Sequence, residues 1–122
     1  MKRWLPVVLY AALIFYLSST PGDAVPQWGA DHDKLAHAAE YGVLGFLLAR
    51  AFGARRWWLA IVAGALYGVT DEFHQTFVPN RYGNDLGDMT ADALGVTLGA
   101  LVWRFVLTRL LRSRAADGTK GP

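Results

Sequence analysis

Three short polar stripes interrupt an otherwise apolar chain, and each holds groups able to move protons or bind charge. Lys34, His37 and Tyr41 are spaced i, i+3 and i+7, so a helix would present an ammonium, an imidazole and a phenol along one face, with Asp33 four residues before His37. Asp71 precedes His74 by three residues and Gln75 by four, Glu72 is its neighbour, and Tyr67 lies one turn away. Asp88 and Asp92 are four apart, and Gly95 and Gly99 continue their side. A histidine oriented by a carboxylate can serve as a general base or a nucleophile, and spacing offers two such pairs, His37 with Asp33 and His74 with Asp71. Lys34 and Arg81 can bind a phosphate or carboxylate as it gains charge. The candidate catalytic residues are therefore His37, Asp71, Glu72 and His74; the candidate substrate-binding residues are Asp33, Lys34, Tyr41, Gln75, Arg81, Asp88 and Asp92. The plainer alternative is structural, with buried His–Asp hydrogen bonds and ion pairs from Asp71 or Asp92 to Arg81 or Lys34.

Asp71, Glu72, His74, Asp88 and Asp92 also supply enough hard donors for a divalent cation such as Mg²⁺ or Mn²⁺, an alternative the sequence leaves open without assigning a ligand set. Zinc fits less well, because the chain has no cysteine and no H-E-x-x-H. Disulfides and thiolate chemistry are excluded on the same ground. No G-x-S-x-G elbow or phosphate-cradling glycine loop is present.

The elements that must hold these stripes read as membrane helices. Trp4 to Ser19, Trp57 to Thr70 and Ala93 to Trp103 carry no charge, and Leu35 to Ala49 contains only Glu40. None is a free-standing run of ~20 apolar residues, the length needed to cross ~30 Å of hydrocarbon. Crossing length is recovered if the spans extend through their polar turns, giving segments of about 4–19, 35–52, 57–76 and 88–111. An ionisable group inside such a span costs a few kcal/mol on insertion scales, so Glu40, Asp71, Glu72 and Asp92 are expected to face a cavity or a partner.

Charge gives the orientation. Every basic residue except Lys34 and Arg81 falls at the ends expected inside, whereas every acidic residue except Asp117 falls at the opposite ends. The Lys/Arg excess marks the cytoplasmic side and places both termini there. The expected architecture is all-α: four transmembrane helices in one domain, 1–112, around a polar vestibule that opens outward, followed by a disordered cytoplasmic tail, 113–122. Met1-Lys2-Arg3 before an apolar run also resembles a signal peptide, but no A-x-A site follows, so a retained anchor is expected.

Local signals refine the boundaries. Pro21 and Gly22 end the first span, Asp31 or Asp33 can cap the second, and Gly53 suits a left-handed C-terminal cap. Asn80 tolerates a left-handed turn after Pro79. Gly64 and Gly68, like Gly95 and Gly99, form small-xxx-small faces that let helices approach. Trp4, Trp57 and Trp58 suit interfacial positions, and Asp23, Asp31 and Asp85 read as solvated loop residues. The pI near 9.2 is accounted for by orientation, and no nucleic-acid partner is expected.

Several of these segments, taken in order, resemble the VanZ-like family. They are Tyr16-Leu17-Ser18-Ser19 with Pro21, Asp33-Lys34-Leu35-Ala36-His37 with Tyr41, the run from Asp71 to Arg81, and Asp88 through Asp92 to Gly95 and Gly99. Asn80 stands where the family usually has Gly and Asp92 where it often has Asn. The resemblance implies a small multi-pass protein of the bacterial cytoplasmic membrane, in a family named for an accessory protein of teicoplanin (glycopeptide) resistance. The expected function is binding or modification of an anionic surface molecule, such as a lipid-linked wall precursor, at the outer face. Membrane lipids are the expected partners, and a hydrolase or group transferase is the enzymatic version. A small oligomeric transporter or channel is the alternative, disfavoured because no ionisable line continues through Val43–Ala49, Leu59–Leu66 or Leu94–Val102.

Overall fold

Four helices fall on the four expected segments in the computed structural model, which describes residues 2–25 and 30–118, the side chains of 30, 31 and 115–118 excepted. Helix α1 is Leu5–Ser18, with Pro6 in its first turn, where a missing N–H costs no helical hydrogen bond. A single 3-10 turn, Gly22–Ala24, follows. Helix α2 is Ala30–Phe52, α3 is Leu59–Gln75 and α4 is Leu86–Gly118. No strand occurs among the described residues.

Three boundaries differ from the sequence reading. Helix α2 starts at Ala30, so Asp33 lies inside its first turn rather than capping it, and the Asp31 side chain is outside the described residues. Asp85 is not simply a solvated loop residue: its Oδ1 accepts the Gly87 backbone N–H at 2.6 Å, capping α4 one turn before the expected start. Helix α4 also continues to Gly118, past Ser113, where the tail was expected to begin. Leu110, Leu111, Arg112, Arg114, Ala115 and Ala116 are strong helix formers, and no Gly or Pro interrupts them. Two local expectations hold: Gly53 takes φ +80° at the end of α2, and Asn80 takes φ +58° after Pro79.

Helix α2 packs most extensively against α4. Side-chain size explains the closeness. A Cβ at Gly95 would collide with the Ala38 carbonyl, one at Gly99 with the Gly42 carbonyl, and one at Gly45 with the Val96 backbone. Gly42 and Gly45 thus supply the α2 half of a seam that sequence reasoning located only on α3 and α4. Tyr41, Leu44, Leu48, Ala49, Val96 and Ala100 fill the core beside it. Helix α1 is held by two phenols: Tyr10 donates to the Glu40 carbonyl (3.2 Å) and Tyr67 to the Ala11 carbonyl (2.7 Å).

The outer surface is apolar. Leu9, Tyr16, Leu66, Phe73, Leu98 and Phe105 are all more than half exposed, while Asp71, Glu72, Asp88 and Asp92 are buried. Among the described helices, only α4 is both long and apolar enough to cross a bilayer by itself, over Leu86–Arg114; α1 is apolar but shorter.

Candidate functional site

Every buried polar side chain among the described residues, Ser18, His37, Asp71, Glu72, Gln75, Asp88 and Asp92, lies at one end of the bundle. Helix α2 contributes His37, α3 contributes Glu72 and α4 contributes Asp92. One ligand-capable atom from each lies within 4.8 Å of the others. His37 Nδ1 is 3.0 Å from Asp92 Oδ1, with His37 at 8% exposure and Asp92 at 0%. An ionised carboxylate only accepts, so Nδ1 carries the proton and Nε2 is the ring position left to accept one. Asp92 therefore sets the tautomer and orientation of His37, the part a carboxylate plays beside a working histidine. Spacing pointed to Asp33 as the His37 partner; the bonded partner is instead 55 residues away on α4.

Asp92 fits there because α3 has no side chain opposite it. A Cβ on Gly68 would press against the Asp92 carboxylate, so the glycine gives α3 a dent in which that group sits. Glu72, fully buried, accepts the Asp85 N–H through Oε2 at 3.1 Å, and its backbone carbonyl accepts the Asn84 N–H at 3.3 Å. It thereby ties the loop before α4 to α3. One oxygen on each of Asp71, Glu72 and Asp92 is without a hydrogen-bond partner among the described residues, as is the Tyr41 hydroxyl.

At the rim, Lys34 donates to Asp88 Oδ1 at 3.1 Å and stands 3.9 Å from Asp85 Oδ2. The hydrogen bond to Asp88 raises the Lys34 pKa above the usual lysine value, and the Gly87 backbone N–H lowers that of Asp85, Lys34 adding to the effect. Asp33, exposed, joins His37 and Asp88 in a second set whose ligand-capable atoms lie within 4.8 Å of one another.

Two residues join the α1 side of the bundle instead. Arg81 donates through Nε to the Thr20 carbonyl (3.1 Å) and through its terminal nitrogens to the Leu17 carbonyl (3.2 Å) and Gln75 Oε1 (3.3 Å). It is a cation at the carbonyl end of α1, where the helix dipole favours one. Gln75 in turn donates to Asp71 Oδ2 at 3.3 Å, so Asp71 is linked to Arg81 through an amide rather than by a direct ion pair. His74 does not bond Asp71. Its Nε2 lies 3.0 Å from Ser19 Oγ, and its ring stacks on Phe15 with centroids 4.5 Å apart. Ser19 gives its proton to the Phe15 carbonyl at 2.7 Å, so His74 Nε2–H is the donor in that contact.

Of the candidates, His37, Glu72 and Asp92 converge in the interior, Lys34, Asp33 and Asp88 surround its rim, and Asp71, Gln75, Arg81 and His74 connect it to α1. Ser19 and Gly68 were not identified as site residues from sequence. The first lay in a motif carrying the VanZ-like resemblance, and the second was read only as a packing position.

A helical bundle that buries its ionisable groups at one end and exposes apolar side chains along its flanks is the arrangement these contacts define. The family model described as VanZ/LLP1 matches residues 4–108, and the chain belongs to that family. No curated protein and no solved structure matches the chain.

Proposed function

We propose that this protein crosses the bacterial cytoplasmic membrane four times, with both termini in the cytoplasm, and that its polar end faces outward to bind or modify the anionic group of an envelope molecule, a lipid headgroup or lipid-linked wall precursor. The observation that carries this reading is the inverted polarity of the bundle: Glu72 and Asp92 are fully buried while Leu9, Leu66 and Leu98 point outward. Carboxylates tolerate such a setting when they face protein rather than lipid, and the exposed apolar flanks match a hydrocarbon solvent. The division of Lys and Arg along the chain supports the orientation.

Chemistry at this end would centre on His37, held by Asp92, as the acid–base group. Lys34, its side chain 42% exposed, is the rim cation open to a ligand, whereas Arg81 is committed to α1 carbonyls. Family membership makes teicoplanin susceptibility a relevant cellular readout.

Two experiments test the proposal. Single cysteines at Ala54 and Tyr82, introduced into this cysteine-free chain, are treated with an impermeant thiol reagent in intact cells. Tyr82, at 94% exposure, is expected to label and Ala54 to be shielded; the reverse pattern overturns the orientation. Mass spectrometry of lipid extracts from cells with and without the protein, and of lipids retained on purified protein, then examines the ligand. A changed headgroup identifies modification, and a retained anionic lipid identifies binding. Neither would sink the envelope-molecule reading.

A further inference from the structure

Buried carboxylates at the polar end outnumber the cations that face them. Glu72 and Asp92 are both at 0% exposure, and each keeps one side-chain oxygen, Oε1 of Glu72 and Oδ2 of Asp92, with no hydrogen-bond partner among the described residues. Asp71 Oδ1 is a third such atom nearby in the fold. Lys34 is engaged by Asp88 and Asp85 at the rim, and Arg81 turns toward α1. An unpartnered ionised oxygen out of water is strongly disfavoured, and two adjacent carboxylates aggravate that cost by mutual repulsion. Even a protonated His37, 3.0 Å from Asp92, balances one of these carboxylates and leaves the others short of positive charge.

We infer that His37, Glu72 and Asp92 form a binding site for one divalent cation of hard to borderline character. Their ligand-capable atoms lie within 4.8 Å of one another. Donors about 2.0–2.2 Å from one ion stand roughly 3–4.4 Å apart, so small side-chain movements bring all three into one coordination shell. Each donor comes from a different helix, and two are already aimed: Glu72 is held through Oε2 by the Asp85 N–H, and Asp92 is held in the dent at Gly68. Two carboxylates and one imidazole favour Mn²⁺ or Mg²⁺ over soft metals, and the chain offers no thiolate. On binding, His37 turns its unprotonated ring nitrogen to the ion, and an imidazolium first loses the proton on that nitrogen to solvent. With an ion bound, His37 is a ligand rather than the free base of the headgroup reading, and the site stands apart from that reading because its three donors all come from these helices.

The test uses the full chain purified in lipid nanodiscs, stripped with EDTA and titrated with Mn²⁺ by electron paramagnetic resonance. One Mn²⁺ per chain is expected to leave the free pool, with pulsed spectra showing coupling to a histidine nitrogen. Glu72→Gln is expected to weaken binding at least tenfold, and His37→Gln to abolish the nitrogen coupling. Should either variant fail to reach the membrane, the wild-type stoichiometry and coupling decide the matter. Absence of stoichiometric binding, binding without nitrogen coupling, or affinity unchanged in a well-folded Glu72→Gln protein each overturns the proposal, the last placing the ion among Asp33, His37 and Asp88 instead.

Discussion

The two ends of α2, α3 and α4 are built on opposite rules. At one end Leu44, Leu48, Ala49, Val96 and Ala100 pack against glycines with no polar group among them; at the other, His37, Glu72 and Asp92 occupy equally buried positions and leave carboxylate oxygens without partners. The apolar end can hold the helices together by shape alone, since close backbone approach gains dispersion contacts that require no exact charge balance. The polar end holds ionisable groups in a setting where each counts heavily, which suits a site and makes a poor scaffold. Beyond the apolar end the surface turns basic: Arg104, Arg109 and Arg112 flank a groove of about 390 Å³ on α4, where Arg109 stacks over Phe105 at 4.8 Å. Close packing and buried ionisable groups are thus separated along one helix axis.

Overpacking the seam should break this division most severely. Gly99→Leu drives a side chain into the Gly42 carbonyl of α2 and is expected to lower stability by about 3 kcal/mol or more, or to prevent assembly. Thermal unfolding in detergent would measure it, with Leu98→Ala on the exposed face as a near-neutral comparison. A stable Gly99→Leu protein would mean that the seam is not what holds the bundle.

Arg81→Gln tests the latch between the polar end and α1. Losing charge-assisted bonds to Leu17 and Thr20 is expected to cost about 2 kcal/mol and to expose the end of α1 to hydrogen exchange. If exchange there is unchanged, the latch is dispensable.

Asp71→Asn and His37→Gln sharpen the contrast from the other side, because each keeps approximate size and hydrogen bonding while removing a charge or a titratable ring. Both are expected to insert normally but to reduce headgroup modification or binding at least tenfold, equivalent to ~1.4 kcal/mol. Full activity in both at normal membrane levels would reassign these residues to a polar framework.

The smallest effect is expected at Lys34→Gln. Its side chain is 42% exposed, so solvent and salt screen the ion pairs at the rim and thermal stability should be nearly unchanged. Affinity of the detergent-solubilised protein for a short-chain anionic lipid should nevertheless fall and lose part of its salt dependence. Titration with that lipid at low and high salt, followed by intrinsic tryptophan fluorescence, would reveal whether Lys34 meets the ligand.

Much of this was legible in the chain because it depends on neighbours in sequence. Uncharged runs located the helices, Gly53 and Asn80 marked left-handed positions that both occupy, and Gly64, Gly68, Gly95 and Gly99 marked close approach. Polar turns located the end where ionisable groups gather. The capping of α4 by Asp85 was missed because a short acidic loop reads equally well as solvated.

Partnership within the site was not legible. Helical spacing states which side chains share a face, so it offered Asp33 to His37 and Asp71 to His74; it says nothing about which face another helix presents. Packing decided that Asp92 bonds His37, because Gly42, Gly45, Gly95 and Gly99 bring α2 and α4 together closely and Gly68 leaves room for the carboxylate. It also turned His74 toward Ser19 and Arg81 toward the end of α1. The sequence by itself determined the four helices, the polar end and the residue types gathered there, since hydropathy and turn chemistry act over one or two helical turns. Only the tertiary structure decided which carboxylate meets which base, because those pairs are 54 or 55 residues apart and are selected by backbone clearance that no local pattern encodes.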